Sequence, residues 1–256
     1  MYITVLGSCA NQISNREGVS LLIENEAENL LIDCGPGIVA ALGRANRKAS
    51  DINHVLLTHV HGDHICGFAY FVWNRNFERM GGVPANDLHV YGQSDAIELA
   101  KTMLSGCYPE LQFPFSVIYH VIESTSCFSC GDMQVDVIPA LHTVPCISCA
   151  VTSDHKKLVY TSDTLPSKDL TSVAMNADML IHEGMMPDAM SALSERVKHS
   201  RPSQAGMFAK SVNAAQLLLV HIAPGLLGKE SLLLKEAANH YIGPISVPFD
   251  GSVYKI

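Results

Sequence analysis

Four apolar runs in this chain end on a residue able to hold a proton or a metal ion. HVLLT (54–58) runs into His59, DMQVDVIPAL (132–141) into His142, KLVYTS (157–162) into Asp163 and QLLLV (216–220) into His221. Short aliphatic runs bounded by polar or turn residues read as buried strands. A sheet that aligns such strands gathers the residues at their carboxyl ends along one edge, where open α/β sheets carry their sites. The chain is therefore constrained to an α/β fold whose strand ends converge.

The remaining pattern agrees. YITVL (2–6), VSLLIE (19–24) and LLIDC (30–34) form an opening meander, followed by a helix at 36–48, a strand at 88–91 and a helix at 94–104. Strands are expected at 116–123 and 147–152, helices at 202–212 and 229–240, and a closing strand at SVYKI. At roughly 150 residues per domain the length fits one large domain or two small ones. The absence of a low-complexity linker favours a single domain over 1–256. With 48% hydrophobic and 16% charged residues, the chain can bury a core, which excludes intrinsic disorder.

Composition also narrows the partners. Lys and Arg number 17 against 25 Asp and Glu, a net charge of −8 that disfavours a polyanion such as structured RNA. No apolar run reaches the ~18 residues of a membrane span. The start, MYITVLGS, reads as a strand entering a Gly turn rather than as a leader, so a cytoplasmic chain with its eight cysteines as thiols is expected.

His59, His61, Asp63 and His64 fall within six residues. With His142, Asp163 and His221 they make seven nitrogen and oxygen donors, more than one tetrahedral ion takes. Two borderline divalent cations fit, zinc first, with manganese or iron chemically open.

THVHGDH (58–64), lying after a buried strand and followed by His142, Asp163 and His221, resembles the signature of the metallo-β-lactamase superfamily across nearly the whole chain. The resemblance implies a four-layer αββα sandwich with a metal centre between the sheets at one edge. It implies one ion on His59, His61 and His142, a second on Asp63, His64 and His221, Asp163 bridging, and Asp63 catalytic. Asp33 in LIDCG matches the early Asp. The superfamily's redox branch has Glu where His61 stands here, which favours hydrolysis.

HEGMM (from His182), KHSRPSQAGMFAK (from Lys198) and GSCANQISNREGVSLLI (from Gly7) resemble the ribonuclease Z branch. That likeness implies that His199, helped by Glu183, protonates the leaving oxygen of a phosphodiester. His199 reads otherwise as a loop histidine before a helix with Ser200 as N-cap and Pro202 at N1, and Arg201 departs from the branch's Thr. Only 20 residues separate His142 from Asp163, where the branch carries a long RNA-gripping arm. A ribonuclease Z-like phosphodiesterase acting on a small phosphodiester, such as a cyclic nucleotide, is expected. A lactonase, thioesterase or other carboxyl-type hydrolase is the competing enzyme, an inactive binding module the competing class. The resemblance also suggests a homodimer.

CFSC (127–130) and CISC (146–149) have zinc-ribbon spacing. Antiparallel neighbours at 132–139 and 147–152 would put the pairs at opposite sheet ends, leaving CFSC as turn residues and CISC as buried thiols. FAYFVWNRNF (68–77) is expected as core or dimer contact, with a substrate wall as the alternative.

Overall fold

Residues 1–11, 16–82 and 86–256 are described by the computed structural model. The first sheet contains β1 (Tyr2–Gly7), β2 (Ser20–Glu24), β3 (Asn29–Ile32), β4 (His54–Leu57), β5 (Leu88–Gly92) and β6 (Val117–Val121). The second contains β7 (Ser126–Cys130), β8 (Met133–Pro139), β9 (Ile147–Ser153), β10 (Lys156–Tyr160), β11 (Met179–Glu183), β12 (Leu217–Val220) and β13 (Ile245–Ser246). The C-terminal β14 (Val253–Lys255) returns to pair with β1 in the first sheet. The helices are α1 (Ile38–Arg44), α2 (Gly62–Ile65), α3 (Phe68–Met80), α4 (Ser94–Cys107), α5 (Lys168–Ala174), α6 (Ser191–Val197), α7 (Pro202–Ser211) and α8 (Glu230–Ala238).

The sheets share a plan. β1, β2 and β3 run antiparallel and β3 through β6 parallel. β7 through β10 run antiparallel and β10 through β13 parallel. Because β10, β11 and β12 point the same way, Asp163, Glu183 and His221 leave the second sheet at one edge.

Period-2 alternation builds the layers. Leu21 and Ile23 face Val135, Val151 and Ile181 across the inter-sheet core, while Leu22 and Leu31 turn outward to Leu42, Phe68 and Ile97 of α1, α3 and α4. Likewise Leu218 and Val220 point inward, and Leu217 and Leu219 pack under α7 and α8. The result is the expected αββα sandwich.

Several local expectations change. The strand expected to reach residue 34 stops at Ile32 because Asp33 is left-handed, φ 63°. The helix expected over 36–48 is only Ile38–Arg44, with Asn46 left-handed just beyond it. CFSC is not a turn: it lies on β7, whose backbone bonds to β8 hold it extended. Cys130 pairs with Met133 and Cys149 with Val137, toward opposite ends of β8, and no metal-competent cluster among the described residues contains a cysteine. Phe68, Phe71 and Val72 pack beneath the first sheet, whereas Tyr70 and Phe77 face solvent and Trp73 stacks on Tyr108 at 5.2 Å.

Candidate metal centre

β4 ends at Leu57, and the chain turns through His59 into α2, a single turn carrying Asp63 and His64. This turn sits on glycines: a Cβ on Gly18 or Gly35 would meet the Asp63 carbonyl oxygen at 2.5 Å. Any other residue at either position would push the turn away from the sheets.

His59, His61, His142 and Asp163 present ligand atoms within 4.8 Å of one another, as do Asp63, His64 and His221. Asp163 Oδ2 stands between the groups, 3.6 Å from His59 Nε2, 3.8 Å from His142 Nε2, 3.4 Å from His64 Nε2 and 3.3 Å from His221 Nε2. His142 Nε2 is 3.1 Å from His61 Nδ1, and His221 Nε2 is 3.3 Å from Asp63 Oδ2. All seven donors expected from the sequence are thus brought together.

Hydrogen bonds behind the rings decide which nitrogen faces inward. His64 Nδ1 donates to Asp33 Oδ2 at 2.8 Å, and His59 Nδ1 donates to Thr58 Oγ1 at 3.0 Å. Thr58 passes this on, donating through N and Oγ1 to Asp33 while Ser162 Oγ donates to it at 3.0 Å. His142 Nδ1 donates to the Lys198 carbonyl at 3.2 Å. Such outer partners fix ring orientation and turn each Nε2 toward the cluster.

The donor set fits cations. His59 Nε2, His64 Nε2 and Asp163 Oδ1 are buried with no hydrogen-bond partner. An orphaned buried acceptor costs about 1–3 kcal/mol, which a coordinated cation removes. Nitrogen and oxygen ligands without sulfur suit zinc and also manganese or iron.

Electrostatics tell the same story. Burial pulls His142 down to about 4 and His59 well below the ordinary imidazole range. Burial opposes charge on His64 as well, yet Asp163 and Asp33 outweigh it and raise its proton affinity. Burial also opposes charge on Asp163, but His221 and His64 overcome it and hold the carboxyl well below its usual range.

Beside the cluster, Glu183 ends β11, fully buried, and accepts from Thr164 N at 2.5 Å and from His199 Nδ1 at 3.0 Å. Burial, with Asp163 nearby, pushes Glu183 up; burial pulls His199 down. The His199 ring stacks on His221 at 5.0 Å and meets His142 edge-on at 4.9 Å. Ser194 clamps it: His199 N donates to Ser194 O at 3.0 Å, and Ser194 Oγ donates to His199 O at 2.5 Å. His199 is therefore an enclosed neighbour of the cluster rather than a solvated loop residue.

Ser200 is not the N-cap of α7. Its hydroxyl donates to Thr164 O at 2.5 Å, and Arg201 caps the helix through its N–H to Gln204 Oε1 at 3.0 Å. The Arg201 guanidinium turns to Asp188 and Glu195, at 3.9 and 4.0 Å. His182 donates through Nδ1 to the Glu183 carbonyl and packs edge-on to Phe208, apart from both donor groups. In the segment from Gly7, Cys9 bridges to Ile222 beside His221, while residues 12–15 of that motif lie outside the described residues.

Residues 1–214 match the family model described as anti-Pycsar protein Apyc1. The chain belongs to the anti-Pycsar protein Apyc1 family. Within that family it is also a metallo-β-lactamase-superfamily relative of ribonuclease Z. Ribonuclease Z of Azobacteroides pseudotrichonymphae is 26% identical over 272 residues, spanning 92% of each chain. The Bacillus subtilis metallo-β-lactamase fold protein YhfI superposes with a TM-score of 0.87 at 23% identity, covering 99% of this chain and 98% of that one. The short form of human tRNase Z, ELAC1, superposes with a TM-score of 0.82 at 22% identity, covering 100% and 99%.

Proposed function

We propose that this chain is a binuclear-metal phosphodiesterase acting on a small phosphodiester, of which a cyclic nucleotide is an example. It is an enzyme of the hydrolase class. His59, His61 and His142 would hold one ion and Asp63, His64 and His221 the other, with Asp163 shared between them. Zinc is the proposed metal, one domain over 1–256 the proposed unit and the cytoplasm the proposed location. No helix among the described residues is long and apolar enough to cross a membrane.

The observation that carries the reading is the His199–Glu183 pair seated against His142 and His221. When bound, two divalent ions supply Lewis acidity and lower the pKa of water. Glu183 occupies His199 Nδ1, which leaves Nε2 as the nitrogen able to pass a proton to a leaving oxygen. The negative charge of an entering phosphodiester raises the proton affinity of that imidazole, against the burial that lowers it. Asp63 lies 3.3 Å from His221 Nε2, the ring on which His199 stacks.

The hairpin between His142 and Asp163 favours a small substrate. Those residues are consumed by β9, a two-residue turn at Asp154 and His155, and β10, with Lys156 opposite Ser153. No chain remains there for an arm that grips RNA. Purified protein loaded with zinc is expected to hold two ions per chain and to cleave bis(p-nitrophenyl) phosphate while scarcely touching nitrocefin or acyl-homoserine lactones. Dominant lactone or thioester hydrolysis would sink the phosphodiesterase reading in favour of the carboxyl-type hydrolase.

A further inference from the structure

Lys198 is the C-cap of α6, left-handed at φ 55°, and immediately precedes His199. Its carbonyl accepts from His142 Nδ1 at 3.2 Å, and its ammonium donates back to the His142 carbonyl at 2.9 Å. Two bonds of opposite sense thus join the same two residues, 56 positions apart in sequence. They tie the loop after β8 to the loop after α6. Neither residue type nor spacing marks Lys198 in the sequence.

The other rings lean on their own surroundings differently. His59 and His64 are steered by Thr58 and Asp33, which belong to the first sheet's edge. The His142 Nδ1 bond instead goes to a loop carbonyl, whose direction depends on the left-handed backbone of Lys198. The ammonium bond holds that backbone against the His142 loop, and His199, the next residue, moves with it.

We infer that Lys198 is a positioning residue that locks His142 and His199 into one register, so that ion retention and proton delivery depend on the same clamp. The inference rests on the metal-hydrolase reading above. The side chain acts through His142 and its own backbone rather than by touching substrate.

Glycine adopts φ near 55° freely, so Lys198→Gly removes the ammonium while keeping the backbone. Lys198→Asn is a second deletion that tolerates the same conformation, and Lys198→Arg retains a cation. The zinc-loaded proteins are challenged with a colorimetric chelator, and kcat and KM are measured on bis(p-nitrophenyl) phosphate. Lys198→Gly and Lys198→Asn are expected to lose zinc about 10-fold faster than the native protein, in line with the loss of a ligand's outer partner. Their kcat should fall by about 10-fold with KM within about two-fold, and Lys198→Arg should recover most of both. The thermal midpoint of the metal-free Lys198→Gly protein should not fall, because left-handed strain is relieved. Native-like zinc loss in both deletion variants overturns the clamp alone. A native protein that keeps no zinc after loading overturns the metal-hydrolase reading and the clamp with it.

Discussion

Asp63→Ala is expected to lower turnover of bis(p-nitrophenyl) phosphate by about 1,000-fold or more, roughly 4 kcal/mol of barrier. The carboxylate contributes the only acidic donor peculiar to the second group, 3.3 Å from His221 Nε2 and 3.8 Å from His64 Nε2. Without it two imidazoles and the shared Asp163 remain, and the bound ions should fall from two to one per chain. The fold should survive. The Asp63 side chain is 20% exposed and outside the three apolar clusters; its backbone oxygen, which a variant keeps, is the atom packed on Gly18 and Gly35. The measurement pairs turnover with elemental analysis and circular dichroism. Full turnover in a folded variant would refute the assignment of this site.

His199→Ala should cost about 100-fold in phosphodiesterase kcat, the lower range for a general acid–base group. KM should change little, because the group is asked to act on the departing oxygen rather than on the bound substrate. A poorly acidic leaving alcohol needs the proton and an acidic phenol departs without it, so the deficit should narrow along a series of increasingly acidic leaving groups. A deficit independent of leaving group would assign His199 to packing against His221. Glu183→Gln distinguishes the two further: it keeps the shape and removes the ionisable carboxyl behind His199 Nδ1, so it should reproduce the leaving-group trend more weakly.

The donors were legible because metal ligation concentrates His and Asp at strand ends, and nothing in an ordinary buried strand calls for His59, His142 or His221 there. The layers were legible because alternation in SLLIE and LLLV separates inward from outward residues. What the pattern hid has a different character. β11 escaped because its strand MLIHE ends on a buried Glu, which reads as a polar boundary until Thr164 N and His199 are seen to satisfy it. β7 escaped because Cys and Ser carry weak strand preference, and its pairing is made by backbone bonds to β8. The relay from Ser162 through Thr58 to Asp33 joins residues up to 129 positions apart, and hydroxyls at such separations carry no local signal.

Seven of the nine left-handed non-glycine residues among those described fall into two sets, with a consequence for engineering heat tolerance. Asp33, Ser162, Lys198 and His221 supply side chains to the donor cluster or its supports, so on the proposed function their backbone strain is bound to activity and exchange for glycine should cost turnover. Asn46 follows the C-cap of α1, and Asp154 and His155 turn the hairpin between β9 and β10, all remote from the donor cluster. At His155, glycine relieves about 1–2 kcal/mol of left-handed strain, offset in part by a more flexible unfolded chain. Thermal robustness is therefore open to improvement at the turns while catalysis stays untouched, and a Gly scan of these positions sorts the molecule into a part that can be hardened and a part that must remain strained.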